Sequence, residues 1–323
     1  MRQGFIGLFI ALAAAVWCVP ASAQEWPSRP VRIIVPFPPG QAADIIARLL
    51  AEKLGPALGQ QVIVDNRPGA GASLGTELGA KAAPDGYTFL AGGSAALAIN
   101  PHLYPKIGYD TPRDFAPITQ LVAIAYVFVV NASSSAHNMK DFIALAKKRP
   151  GELNYGSSGN GSTSHLVSAA LASRAGVQLS HIPYKGAVPA LTDLMAGQLA
   201  MVAETPPTVL PHIQSGKLKP IATSLAQRIP QLPNVATVGE QSIPGFDLST
   251  WTSLVAPTGT PNAILDRMSA EAMRIIALPE VNKRLVEIGF IPVGNSRREF
   301  GAFLAAEYAS WQKIVQASGA KVD

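Results

Sequence analysis

The sequence predicts an α/β protein of two lobes, each built on a mostly parallel sheet, with a ligand cleft between them. Three observations carry this. Strands and helices alternate from Val31 to Ala91, the order that makes a parallel sheet covered on both faces. A long apolar run, Val122–Val130, then crosses into a second alternating stretch. The C-terminal part holds several helices but one clear strand, too little for a sheet of its own, so it returns to the first lobe.

The elements follow in order. Val31–Val35 is an apolar run bounded by prolines and reads as a buried strand. A helix follows from Gln41 to Leu58, with Ile45, Ile46, Leu49, Leu50 and Leu54 on one stripe. Val62–Val64 is a strand, Ser73–Ala82 a helix, and Tyr87–Ala91 a strand after the turn Pro84-Asp85-Gly86. Beyond the crossing, helices are expected at Lys140–Lys148, Ser164–Arg174, Val188–Ala196 and Pro206–Ser215. Strands alternate with them at Leu153–Gly156, Leu179–Pro183, Leu199–Ala203 and Lys219–Thr223. A turn-rich stretch, Pro230–Gly245, leads to a strand at Ser253–Ala256. Helices at Asn262–Ala277, Pro279–Ile288 and Arg297–Ala317 complete the chain. The expected boundaries are 24–123 with 245–323 for the first lobe and 124–244 for the second.

Residues 1–23 read as a signal peptide. Arg2 supplies the charge, Phe5–Val16 the apolar run, and Ala21-Ser22-Ala23 the cleavage site, so the mature chain is expected to begin near Gln24 in the periplasm. The single cysteine, Cys18, lies inside this segment, with Trp17 rather than a small residue before it, which speaks against a lipid anchor. The mature chain therefore has no disulfide and no thiolate ligand or nucleophile. Net charge is +5, but the basic residues are scattered, which argues against nucleic-acid binding. The 5 histidines show no H-E-x-x-H spacing, so neither a metal nor a cofactor is expected.

Two loops carry the functional signal. Gly156-Ser157-Ser158-Gly159-Asn160-Gly161-Ser162-Thr163-Ser164-His165 runs from a strand into a helix with almost no side-chain bulk. Such a loop exposes backbone N–H groups at a helix N-terminus, where they receive an anion. Ser158, Ser162 and Thr163 add hydroxyl donors; His165 falls one turn into the helix and reads as structural. Pro36-Phe37-Pro38-Pro39-Gly40-Gln41-Ala42-Ala43-Asp44 has the same logic in the other lobe, with Gly40 permitting close approach and Asp44 free to bond first-turn N–H groups. Each loop also reads as an ordinary helix start. A third loop, Tyr184-Lys185-Gly186-Ala187, offers Lys185 to a carboxylate or to solvent. Glu204 ends a strand and either faces the cleft, where it would meet a ligand ammonium or hydroxyl or repel a carboxylate, or is simply exposed.

Enzyme signatures are weak. Gly71-Ala72-Ser73-Leu74-Gly75 matches G-x-S-x-G, but Arg67-Pro68-Gly69-Ala70 intervenes where that motif needs its strand to run straight into the serine. A periplasmic serine hydrolase using Ser73 is the alternative reading. The dinucleotide fingerprint fails at Leu74.

Several segments together resemble one family, the extracytoplasmic solute receptors of tripartite tricarboxylate transporters, or Bug receptors. They are Ile34–Gly40 with Asp44, Asp65–Gly71, Pro84–Thr88, Asn100–Tyr104, Asp114–Ile118, Tyr155–Ser162 with His165, Pro183–Gly186 and Ala256–Pro261. The resemblance implies a two-lobed, Venus-flytrap periplasmic binding protein, not an enzyme, with no catalytic residue. It implies that the protein carries a small carboxylate, whether dicarboxylate, aromatic acid or acidic amino acid, to an integral-membrane permease. It also implies that Phe37–Asp44 and Ser157–Thr163 form a carboxylate clip. The expected state is a monomer; a ligand-sensing role toward a signalling partner is the other alternative. Two positions depart from the family pattern: Gln41 stands where a second glycine is usual, and Ala200 where an aspartate is usual.

Overall fold

The computed structural model describes residues 26–320. The expected signal peptide lies outside these residues. Among the described residues no helix is long and apolar enough to cross a membrane.

The first lobe opens with β1 (Val31–Val35), α1 (Ala42–Leu58), β2 (Val62–Asn66), α2 (Ser73–Ala80) and β3 (Thr88–Gly93). A π-helical turn, Ala95–Ile99, runs into α3 (Asn100–Leu103); α4 (Thr111–Asp114) and the long β4 (Phe115–Ala125) follow. The second lobe contains β5 (Val127–Asn131), α5 (Met139–Lys148), β6 (Asn154–Ser157), α6 (Thr163–Ala175), β7 (Ser180–Pro183), α7 (Ala187–Met195), β8 (Met201–Glu204), α8 (Pro206–Gln214), β9 (Leu218–Thr223) and α9 (Val238–Gln241). The chain then returns to the first lobe with β10 (Ser249–Pro257), α10 (Asn262–Ala277), α11 (Pro279–Glu287), β11 (Ile291–Pro292) and α12 (Arg297–Ser318).

Two sheets result, in the orders β11-β4-β10-β3-β1-β2 and β7-β6-β8-β5-β9. Two α/β lobes are present as expected, but the sheets are mixed rather than mostly parallel. β1 pairs parallel with β2 and β3, while β10 runs antiparallel to both β3 and β4. β6 pairs parallel with β7 and β8, while β5 runs antiparallel to β8 and β9. The reason is the connection. Parallel neighbours need a crossover helix, as α1 provides between β1 and β2. β5 and β10 instead enter their sheets directly from the other lobe, against the prevailing direction.

β4 begins earlier than the apolar run suggested. Pro117 hides its start, and is tolerated because it sits opposite Val255 at a register shift, where no regular ladder bond is required. α1 buries Ile46, Leu50 and Leu54 almost completely and ends at Gly59, whose φ of 68° supplies the left-handed C-cap. One apolar cluster is continuous across both lobes: it joins Leu90, Leu97 and Trp311 of the first to Phe128, Leu166 and Met201 of the second.

The crossings lie side by side. Tyr126 links β4 to β5, and Ala125 faces Ser249 in register where β10 begins. Ser224 ties the passes together. Its hydroxyl accepts from the Tyr126 N–H (2.9 Å) and donates to the Leu248 carbonyl (2.5 Å). Its own N–H donates to the Tyr126 carbonyl, and its carbonyl accepts the Leu248 N–H, each at 2.9 Å.

Candidate ligand-binding site

The first helix start facing the interlobe cleft belongs to α1. Gly40 turns the chain with φ 84°, and Gln41 takes the N-cap position in extended conformation without a side-chain cap bond. The first-turn amides of Ala42 and Ala43 thus have neither an intrahelical acceptor nor a capping side chain. Asp44 does not take that role. Its carboxylate accepts the Gly40 N–H (2.8 Å), the Asn66 amide (2.9 Å) and the Arg48 guanidinium (3.1 Å). Burial opposes its ionisation, but these donors outweigh it and hold the carboxyl below its usual range. Asn66 also donates to the Phe37 carbonyl at 3.1 Å, so the loop is clamped from beneath while its upper face stays open.

The second helix start belongs to α6, and it is tighter than a bare anion cradle. The Ser158 N–H donates to Ser164 Oγ (3.0 Å), Gly159 N–H to Ser157 Oγ (3.2 Å) and Gly161 N–H to His165 Nδ1 (3.1 Å). Ser162 caps the helix, accepting the His165 N–H at 3.3 Å and donating to the Gly159 carbonyl at 2.7 Å. The loop therefore spends most of its amides on its own shape. What it offers to a ligand shrinks to the first turn at Thr163.

Two imidazoles stand behind this loop. His165 stacks on His181 with ring centroids 3.8 Å apart and an interplanar angle of 2°. His181 Nε2 bonds Ser157 Oγ at 2.6 Å. Burial first, then His181, lowers the pKa of His165 to about 4, so it stays neutral and accepts the Gly161 amide.

The two helix starts meet in a cavity of about 510 Å³. Phe37, Gly40, Gln41, Ala42 and Ala43 line it from one lobe; Ser158, Thr163 and Glu204 line it from the other. A second chamber of about 440 Å³ adjoins it, bounded by Gly159, Gly161 and Ser162 and by Pro68, Gly71 and Tyr104. Phe37, Gln41, Ala95, Ser158 and Thr163 border both, so Gln41 stands at the junction. Asp44, Ser157 and His165 lie behind the walls as supports.

The third loop is not brought to either chamber. The Tyr184 hydroxyl donates to Asp193 at 2.6 Å, and burial together with that carboxylate pushes the phenol up to about 12. Lys185 is exposed, Gly186 donates its N–H to the Ser158 carbonyl at 3.2 Å, and Ala187 begins α7. Ala200 lies before β8, its N–H bonded to Asn154 Oδ1 at 2.9 Å, away from both chambers. Sequence reasoning missed Ser94, Thr250, Trp251 and Thr252, which line the larger chamber; Ser94 and Thr250 hydroxyls lie 2.7 Å apart. Gly92-Gly93-Ser94 was the signal available, a strand running into small residues ahead of a helix.

Glu204 ends β8 at 6% exposure, facing the larger chamber. Its carboxyl bonds the Ser158 hydroxyl and the Thr205 N–H. Burial raises its pKa above the usual carboxylate range despite these donors. Ser73, by contrast, lacks the company of a nucleophile. Its hydroxyl accepts from Asn100 (3.2 Å) and lies beside the Tyr109 phenol, and neither is a base.

Two lobes closing helix starts on a shared cavity define the solute-binding class, and solved structures agree. The fold matches the periplasmic binding protein BugD at TM-score 0.74 and 31% identity, over 92% of this chain and 99% of that one. It matches R. palustris Rpa4515 with adipate at TM-score 0.78 and 33% identity, over 92% of this chain and 100% of that one. MatC (Rpa3494) from Rhodopseudomonas palustris with bound malate matches at TM-score 0.74 and 29% identity, over 90% of this chain and 100% of that one. BugT of Bordetella pertussis is 37% identical over 318 residues, 98% of this chain and 97% of its own length. Residues 46–320 match the tripartite tricarboxylate transporter family receptor, TctC. The chain belongs to that family of solute receptors.

Proposed function

We propose that this chain is a periplasmic receptor that captures a small carboxylate in the interlobe cleft and delivers it to the permease of a tripartite tricarboxylate-type transporter. The observation that carries the reading is the uncapped first turn of α1 opening, opposite Thr163, into a cavity of about 510 Å³. Amides at a helix start carry partial positive charge and suit an anion. Each charge-assisted bond contributes about 1.5–3 kcal/mol, so a handful supplies the roughly 8 kcal/mol of micromolar binding without an arginine. The adipate and malate held by the two related structures support the ligand class. Trp251, Phe290 and Ile45 add apolar wall, which suits an aliphatic or aromatic body beyond the carboxylate. Calorimetric titration with succinate, malate, adipate, benzoate and aspartate tests the reading. Binding of at least one acid is expected; no heat from any of the five, with folded protein, would sink it.

A further inference from the structure

The cleft that would receive an anion is lined by an acid and by no base. Among the described residues, no lysine, arginine or histidine lines either chamber, and Glu204 is the one acidic side chain on their walls. The residue is nearly inaccessible, at 6% exposure, and meets the cavity beside Ser158 and Thr163. The partners packed against it are neutral. Ser158 comes from the loop after β6, Ser164 from the first turn of α6, and Thr205 is next in the chain. On β5, Val127 is its register partner. Tyr126, at the crossing, is the titratable group that faces it; burial, then the charge of Glu204, pushes that phenol well above its ordinary range. Tyr126 therefore stays neutral and supplies no positive charge.

We infer that Glu204 is a proton-linked ligand group: capture of a carboxylate in this cleft is accompanied by uptake of one proton at the Glu204 carboxylate. The inference rests on the reading of the cleft as a carboxylate site. A second negative charge brought into a poorly solvated cavity disfavours the ionised form of the first. The proton comes from buffer, bonds one Glu204 oxygen, and converts an acceptor-only group into a donor for the incoming carboxylate. The coupling is reciprocal, so a proton that eases ligand entry is itself held tighter once the ligand is bound. The sign follows: proton uptake favours binding at lower pH, and affinity falls as pH rises. The slope reaches about tenfold per pH unit where Glu204 is ionised in the free protein and protonated in the complex. An ammonium-bearing ligand read by ionised Glu204 would give the opposite slope.

The test repeats the five-acid titration between about pH 7 and 8.5, where the free acids are fully ionised at their carboxyl groups. Buffers of different ionisation enthalpy count the protons exchanged. His165 stays outside this window, with its pKa lowered to about 4, and burial likewise lowers His181. The expected result is net uptake approaching one proton, weaker binding at higher pH, and loss of both effects in Glu204→Gln. Binding with no proton uptake and a flat profile, or with affinity rising with pH, overturns the inference while leaving carboxylate capture standing. Uptake that persists in Glu204→Gln overturns the assignment to this residue. No binding at any pH removes both readings. If the variant does not fold, the proton count on the wild-type chain decides.

Discussion

His165 illustrates how a single side chain in the first turn of a helix fixes the shape of the loop that leads into it. Its ring accepts the Gly161 amide through Nδ1, which requires the neutral imidazole. Protonation would turn that acceptor into a donor and place a charge against the stacked His181. The fold therefore lowers the pKa from 6.5 to about 4, chiefly by burial. For a depressed group the unfolded chain binds more protons in that interval, so stability is full above the unfolded value and is lost as pH falls through the folded one. Denaturant unfolding at pH 7 and near pH 4 should differ by about 3 kcal/mol or less from this group. A flat profile between those values would contradict a neutral His165. Asp44 shows the converse. Its position suggested a cap for the first turn of α1, but it faces Gly40, Asn66 and Arg48 instead. Nothing local predicts that choice, because Asn66 arrives from β2, 22 residues away.

At the scale of elements, both helix starts were legible, since a strand, a glycine and a helical stripe in that order leave free amides wherever the chain goes. How the amides are spent was not legible. The amides of Ser158, Gly159, Gly161 and His165 all go to side chains whose direction a sequence pattern does not specify. The polar half of β10 was hidden for a different reason: Thr250 and Thr252 interrupt any apolar alternation because they line the cleft. α2 makes a sharper demand. A Cβ on Gly75 would lie 2.4 Å from the Arg67 carbonyl and 2.8 Å from Pro36 Cα, both backbone. The helix thus seats directly on the end of β1, at the root of the Phe37–Asp44 loop. Gly75→Ala should cost about 1–3 kcal/mol by overpacking and weaken the proposed carboxylate binding by displacing that loop. Thermal unfolding and titration of the variant read the two effects; an unchanged melting temperature would show that the contact relaxes freely.

For the molecule as a whole, the apolar cluster shared by both lobes opposes independent behaviour. Phe128 and Leu166 are buried in the same cluster as Leu90 and Trp311, and α12 packs on α6. Calorimetry should accordingly show one cooperative transition rather than two, and two resolved peaks would show that the lobes unfold separately. The two-lobed plan was visible in the restart of the alternating pattern after Val130. The antiparallel entry of β5 and β10 was not, because strand direction depends on which lobe the chain has just left. That entry has a mechanical outcome. Ala125 and Ser249 face each other where the chain leaves the first sheet, so the lobes are joined there by the β4–β10 ribbon, whose register shifts at Thr252/Ser253 and Leu254/Val255, where β3 also pairs with β10. Thr250, Trp251 and Thr252, in that same ribbon, line the larger chamber. Lever and floor are one strand, so a ligand that presses on the floor loads the lever directly. Grip and release rate are then mechanically coupled, and a substitution on this stretch that alters one should alter the other.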